Sequence, residues 1–140
     1  MLRLKLNAPF EQVYVYISLE NPSTGQKLTI DAKVDTGAAV TVIPKNVVEG
    51  LGLPSLGNCC FTMVDGTPLK TEAQMCRLSF SDEDTIDTPV YVCDSESGVA
   101  LLGMDVLRLC NFSQWHELSD NEHSVYFEIE LISDDAMLML

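Results

Sequence analysis

The chain has 140 residues, of which 46% are hydrophobic, and this is enough for one domain with a buried core. Its 21 acidic and 8 basic residues give it a formal net charge of −13. A surface with this charge repels phosphate backbones and anionic lipids, so we expect no nucleic acid and no membrane among the partners.

The N-terminal part of the chain alternates apolar and polar residues with the period of two that is typical of half-buried strands. We predict strands at residues 2–6, 12–19 and 26–34, with the turn of a hairpin at residues 21–25, whose sequence is Asn-Pro-Ser-Thr-Gly. The third strand leads directly into Asp35-Thr36-Gly37, and a further strand is predicted at residues 39–43.

The middle of the chain combines one short helix with a hairpin. Pro44 can begin a helix, which we expect to end near Gly50 or Gly52. Strands are predicted at residues 59–64 and 69–80, and the pair Asp65-Gly66 between them is one of the stronger short hairpin signals.

The last part of the chain alternates loops with short elements. We predict polar loops at residues 81–84 and 94–98, strands at 88–92, 99–102 and 125–132, a helix at 104–110 and a turn at 119–122; the pattern of residues 112–118 is ambiguous. Many short strands with one or two short helices predict a single all-β domain over residues 1–140, folded as a closed barrel.

The five cysteines are an odd number without metal-ligand spacing, and Cys59 and Cys60 are adjacent. This pattern favours neither a disulfide framework nor a zinc site, so we predict reduced thiols in the core. No apolar run approaches the roughly 18 residues of a membrane span, and the first residues do not form a signal peptide. We therefore expect a soluble, cytoplasmic protein.

Asp35 is the residue that most needs an explanation, because it follows an apolar strand and precedes another. Burying an ionised carboxylate without a partner costs several kcal/mol, so Asp35 needs hydrogen-bond donors, a group that shares its proton, or a function. A plain turn in which Asp35 caps neighbouring amides is the simplest alternative.

Three features together resemble the retropepsin-like family of single-domain aspartic proteases. They are Asp35-Thr36-Gly37-Ala38 with its apolar flanks, the Asp65-Gly66 hairpin, and residues 101–107 with the sequence Leu-Leu-Gly-Met-Asp-Val-Leu. Their order and spacing match that family over about residues 27–110. The resemblance implies a closed acid-protease β-barrel with a flap hairpin, endopeptidase activity on a polypeptide substrate, and neither a cofactor nor a metal.

The resemblance also implies roles for named residues. Asp35, Thr36 and Gly37 form the catalytic set, in which two Asp35 side chains share one proton and activate a water. The chain has only one Asp-Thr-Gly, so catalysis requires a homodimer with one Asp35 from each protomer. Gly37 brings a backbone amide to the carboxylate, and Thr36 forms a hydrogen bond across the two-fold axis.

The resemblance assigns substrate binding to Ala38 and to the flap tip, which comprises Val64, Asp65, Gly66 and Thr67. Residues 101–103 pack behind the catalytic loop, where glycine allows close approach. The negative surface favours basic or neutral substrates.

Other functional assignments are weaker. The same fold could serve as a dimerisation or peptide-binding module without activity. Asp105 is expected to be a cap or an ion-pair partner, and His116 and His123 to be surface residues. Nothing in the sequence places a cysteine near either histidine, so thiol catalysis has little support.

Overall fold

The computed structural model describes residues 1–6, 12–94 and 98–132, and within these ranges the chain forms ten strands and three short helical segments. The strands are β1 (Leu2–Leu6), β2 (Tyr14–Glu20), β3 (Lys27–Val34), β4 (Val42–Pro44), β5 (Ser55–Thr62), β6 (Pro68–Ser79), β7 (Thr85–Cys93), β8 (Ala100–Leu102), β9 (Cys110–Ser119) and β10 (Glu122–Leu131). The helices are α1 (Lys45–Val48), a 3₁₀ turn that follows it (Glu49–Leu51), and α2 (Met104–Leu107). Residues 95–97 of the predicted loop 94–98 lie outside the described residues.

Six of the strands form a closed ring in the order β2-β3-β8-β4-β7-β6. The ring closes because β6 pairs back to β2, with Leu19 opposite Leu78. Strand β5 pairs with β6 outside the ring and forms a long hairpin with it. These pairings confirm the predicted all-β barrel with a flap hairpin and short helices.

A three-stranded antiparallel sheet in the order β1-β10-β9 packs against the barrel. Its inner face alternates along the strands: Leu4 lies opposite Phe127 and Leu2 opposite Ile129, and these four side chains join the hydrophobic core. Strand β9 is different, because most of its residues are exposed although it pairs with β10 over its whole length.

The core is built from the inward residues of the barrel strands. Its fully buried members include Val15, Ile17, Leu19, Leu78, Val90 and Leu102, and α2 contributes Val106 and Leu107. This regular inward alternation explains why the strands were predictable from the period of two.

The predicted turn and short helix meet at the buried side chain of Asn21. Its Nδ2 donates hydrogen bonds to the carbonyl oxygens of Leu51 (2.9 Å) and Gly52 (3.1 Å). Gly52 has a φ of 61° in the left-handed region, so the helical segment ends at one of the two predicted glycines. The β2–β3 turn is thereby attached to the end of the helical segment.

Several predicted boundaries were wrong, and for α2 and β4 tertiary hydrogen bonds explain the difference. Helix α2 ends at Leu107 instead of residue 110, because Cys110 begins β9 and pairs with Leu131. Strand β4 begins at Val42 instead of residue 39, because the carbonyls of Ala38 and Ala39 accept hydrogen bonds from α2. The strand predicted at 59–64 runs from Ser55 to Thr62, and the strands predicted at 88–92 and 125–132 begin three residues earlier, at Thr85 and Glu122.

The cysteines are all free thiols, as predicted, but not all of them belong to the core. Cys76 and Cys93 are buried, Cys59 and Cys110 are half-buried, and Cys60 is exposed, so the core assignment of Cys60 was wrong. Burial raises the pKa of the Cys76 and Cys110 thiols to about 12. None of the helices in the described ranges has the length and apolar character to cross a membrane.

Candidate active site

Asp35 lies at the first position after β3, where two parallel strands end together. Strand β3 pairs in parallel with β8, and Val34 lies opposite Leu102. The backbone N–H of Asp35 continues this pairing by donating to the carbonyl of Leu102 (3.0 Å). The Asp35 side chain is half-buried in the single chain, so one side of it stays open to solvent.

The Asp35 carboxylate is held by its own loop. The N–H of Gly37 donates to Oδ1 of Asp35 (2.9 Å), as predicted from the Asp-Thr-Gly sequence. A Cβ at Gly37 would lie 3.2 Å from the same oxygen, a contact tighter than most side chains tolerate. In the described part of the chain Oδ2 accepts no hydrogen bond, so this oxygen is available for another group.

The neighbours of Asp35 form a short open turn. The N–H of Ala38 donates to the carbonyl of Asp35 (3.2 Å), and this bond closes the turn. Thr36 and Gly37 are exposed, while Ala38 is half-buried. The structure thus groups the predicted catalytic residues and Ala38 at one surface of the single chain.

Gly103 supports this loop from behind, as predicted. A Cβ at Gly103 would lie only 2.3 Å from the carbonyl oxygen of Val40, so no other residue fits without a backbone shift. The two residues after Gly103 bind the loop directly: the N–H of Met104 donates to Ala38 (2.8 Å) and that of Asp105 to Ala39 (3.1 Å).

Asp105 and Thr41 form a buried polar link that the sequence analysis did not identify. The Thr41 hydroxyl donates to Oδ1 of Asp105 (2.8 Å), and the Thr41 N–H donates to Oδ2 (3.1 Å). The same hydroxyl accepts a hydrogen bond from the N–H of Gly103 (3.1 Å). Asp105 also accepts a hydrogen bond from the N–H of Val106. It lies inside α2, whose N-cap residue is Gly103 and has no side-chain cap, so the expected cap at Asp105 is not formed. Its carboxylate instead fixes the Asp35 loop to that helix.

The flap hairpin ends in a tight loop between Thr62 and Pro68. The N–H of Gly66 donates to Met63 (2.9 Å) and that of Met63 to Thr67 (2.8 Å). Gly66 has a φ of 87°, which only glycine adopts readily. The β-turn therefore spans Met63 to Gly66, and Asp65-Gly66 are not the two central residues of a two-residue hairpin turn.

The tip of the flap is fully solvated in the single chain. The Asp65 carboxylate accepts hydrogen bonds from the hydroxyl and the N–H of Thr67, and these donors lower the pKa of Asp65. The Val64 side chain is completely exposed, at 107% of its reference area. An apolar side chain with no intramolecular contact is unusual for a tight turn and is available to another molecule.

A cavity of about 530 Å³ lies beside the base of the flap and not at Asp35. It is lined by flap residues such as Cys60 and Lys70, by Lys45 of α1, and by Cys93 at the end of β7. This cavity is therefore separate from the loop with the candidate catalytic acid. Asp35 is not among the residues that line this cavity, and the described residues hold no group of three or more potential metal ligands.

Comparison with protein families gives one match. The family described as "gag-polyprotein putative aspartyl protease" matches residues 24–109, which include the Asp35 loop, the flap and α2. No curated protein matches the chain at a significant level.

Comparison with solved structures shows the same fold. EIAV protease in complex with the inhibitor HBY-793 aligns with a TM-score of 0.56 and 19% identity, over 70% of this chain and 86% of that chain. A retropepsin-like aspartic protease from Rickettsia conorii aligns with a TM-score of 0.53 and 15% identity, over 89% of this chain and 98% of that chain.

Proposed function

The chain belongs to the retropepsin-like aspartic proteases, and from this premise we propose that it is a homodimeric endopeptidase with one catalytic Asp35 from each protomer. The geometry of the Asp35 carboxylate carries the proposal. One oxygen is fixed by the N–H of Gly37, and the other is unoccupied within the described residues. A second carboxylate can approach that open side and share a proton, which is what this chemistry requires.

In the proposed mechanism the ionised member of the Asp35 pair removes a proton from a bound water, which attacks the scissile carbonyl carbon. The protonated member donates a hydrogen bond to the carbonyl oxygen and stabilises the charge that develops there. The Gly37 N–H keeps each carboxylate in position. Thr36 is assigned a hydrogen bond to the Asp35 loop of the other protomer. Its side chain is exposed in the single chain, so it is free to form this bond.

The substrate is proposed to be an extended polypeptide held by β-type hydrogen bonds between the flap and the floor of the site. The flap tip, Val64 to Thr67, closes over it, and Ala38 lines the floor. The exposed Val64 side chain supports this role, because closure gives it an apolar contact that the single chain lacks. The net charge of −13 favours basic or neutral substrates.

We also propose that residues 1–140 form one protease domain that acts in the cytoplasm. The five free thiols support a reducing compartment, because extracellular proteins of this size usually pair their cysteines.

Replacement of the proposed catalytic acid tests the activity. Asp35→Asn keeps the shape of the side chain but cannot act as a base, so cleavage of an unstructured polypeptide should fall by at least about a hundredfold. Asp31→Asn is the matched control, because it makes the same change at an exposed position of β3. Loss of cleavage in Asp35→Asn alone supports the peptidase. Equal inertness of a folded wild-type dimer would support the binding module instead.

A further inference from the structure

Two histidines face each other on the β9–β10 hairpin, far along the chain from Asp35. His116 lies opposite Val125 and His123 opposite Leu118, so the histidines occupy diagonal positions on the same face of the antiparallel pair. Nδ1 of His116 is 2.6 Å from Nε2 of His123, and the ring centroids are 4.9 Å apart. Both residues are exposed.

At this distance the space between the two nitrogens holds only one proton or one ion. Both rings cannot carry a proton there, so either one N–H donates to the other ring or an ion takes the place of that proton. A neutral imidazole nitrogen is the commonest protein ligand for transition metals. Two nitrogens bound at about 2.1 Å to one ion at a right angle are about 3 Å apart, so a small rotation of the rings suffices.

We propose that His116 and His123 form a surface binding site for a divalent late transition-metal ion of the Zn²⁺ or Cu²⁺ class. Imidazole nitrogen suits these ions, whereas Mg²⁺ and Ca²⁺ require oxygen ligands. Because the described residues contain no cluster of three potential ligands, water completes the coordination. The site is independent of the proposed protease activity.

The rings are accessible, and the net charge of the chain favours a cation over an anion as their ligand. By alternation, Gln114 and Leu118 share their face, while Glu117 and Glu122 project from the opposite face. Glu122 accepts a hydrogen bond from Lys5 there (3.1 Å), so it does not compete for the rings. The net charge of −13 raises the local concentration of cations.

The rigidity of the hairpin gives the site its preorganisation. Strands β9 and β10 are paired over ten successive residues, so metal binding requires no rearrangement of the backbone. An ion bound to both strands stabilises the folded state by mass action. The melting temperature therefore reports binding.

Thermal unfolding with and without ZnCl₂ tests the proposal. We expect Zn²⁺ to raise the Tm of the full chain by a few degrees in a Cys60→Ser background, which removes the exposed thiol as a competing ligand. The rise should be absent in His116→Gln and in His123→Gln, and MgCl₂ should not produce it. An equal rise in the histidine variants, or no rise in any protein, would overturn the proposal.

Paramagnetic broadening locates the ion without any substitution. When Cu²⁺ is added to the unmodified chain, the ring signals of His116 and His123 should broaden before those of other residues. Earlier broadening at another group of residues, with the histidine signals unaffected, would also overturn the proposal.

Discussion

Asp35 is positioned by its own loop, but the end of that loop is held through Thr41 by Asp105, which lies 64 residues after Thr41 in the chain. The local part could be predicted, because Asp-Thr-Gly brings the Gly37 amide to the carboxylate over two residues. The contact between Thr41 and Asp105 could not, because it depends on how β4 and α2 pack. The position of Asp105 near the start of a helix predicted a cap, which α2 does not form.

Gly103 should be the least replaceable glycine outside the Asp35 loop. In Gly103→Ala the new methyl group meets the Val40 carbonyl at 2.3 Å, so we expect a loss of about 1–3 kcal/mol in the free energy of unfolding, together with reduced activity. Urea denaturation measures the first and peptide cleavage the second. Gly50→Ala is the control, because its Cβ meets nothing within 4 Å and it should leave both unchanged.

Asp105 should act as a positioning residue whose acceptor oxygens matter more than its charge. Asp105→Ala leaves the buried Thr41 N–H and hydroxyl without their acceptor, which should cost about 1–3 kcal/mol of stability in urea denaturation. Asp105→Asn keeps one acceptor oxygen and should lose less. Equal losses in the two variants would indicate that the carboxylate charge, and not hydrogen bonding, holds the loop.

Strands were more predictable than helices in this chain, because inward residues recur at every second position over most of β2, β7 and β10. Helix α2 was overestimated, since apolar residues at helical spacing continue to Cys110, but pairing with β10 takes over there. The histidine pair illustrates the same limit. His116 and His123 are seven residues apart, and only the register of β9 with β10 brings their rings together.

A substitution at the flap tip should change activity while leaving the stability of the fold almost unchanged. Val64 is completely exposed, so Val64→Ser should change the free energy of unfolding by less than about 0.5 kcal/mol. If the tip closes over the substrate, the same variant should lower kcat/KM several-fold through lost apolar contact. Unchanged kinetics would mean that Val64 does not touch the bound peptide. Thr24→Ser, at an exposed turn away from the flap, is a conservative control.

A single chain supplies only half of the proposed active site. One chain contains a single Asp-Thr-Gly, and its Asp35 is half-buried with one carboxylate oxygen unoccupied within the described residues. The fold class and the candidate acid could be predicted from the sequence, since they depend on periodicity and on a short motif. The proposed arrangement of two protomers could not, because it would depend on surface complementarity that no local pattern encodes.

Subunit mixing tests the shared site most directly. Wild-type chains are dissociated and reassociated with about a ninefold excess of Asp35→Asn chains, so most wild-type chains pair with an inactive partner. If each site needs one Asp35 from each protomer, peptide cleavage per wild-type chain should fall to roughly a tenth of its starting value. Cleavage that stays proportional to the amount of wild-type chain, whatever the excess of the variant, would contradict the two-protomer site.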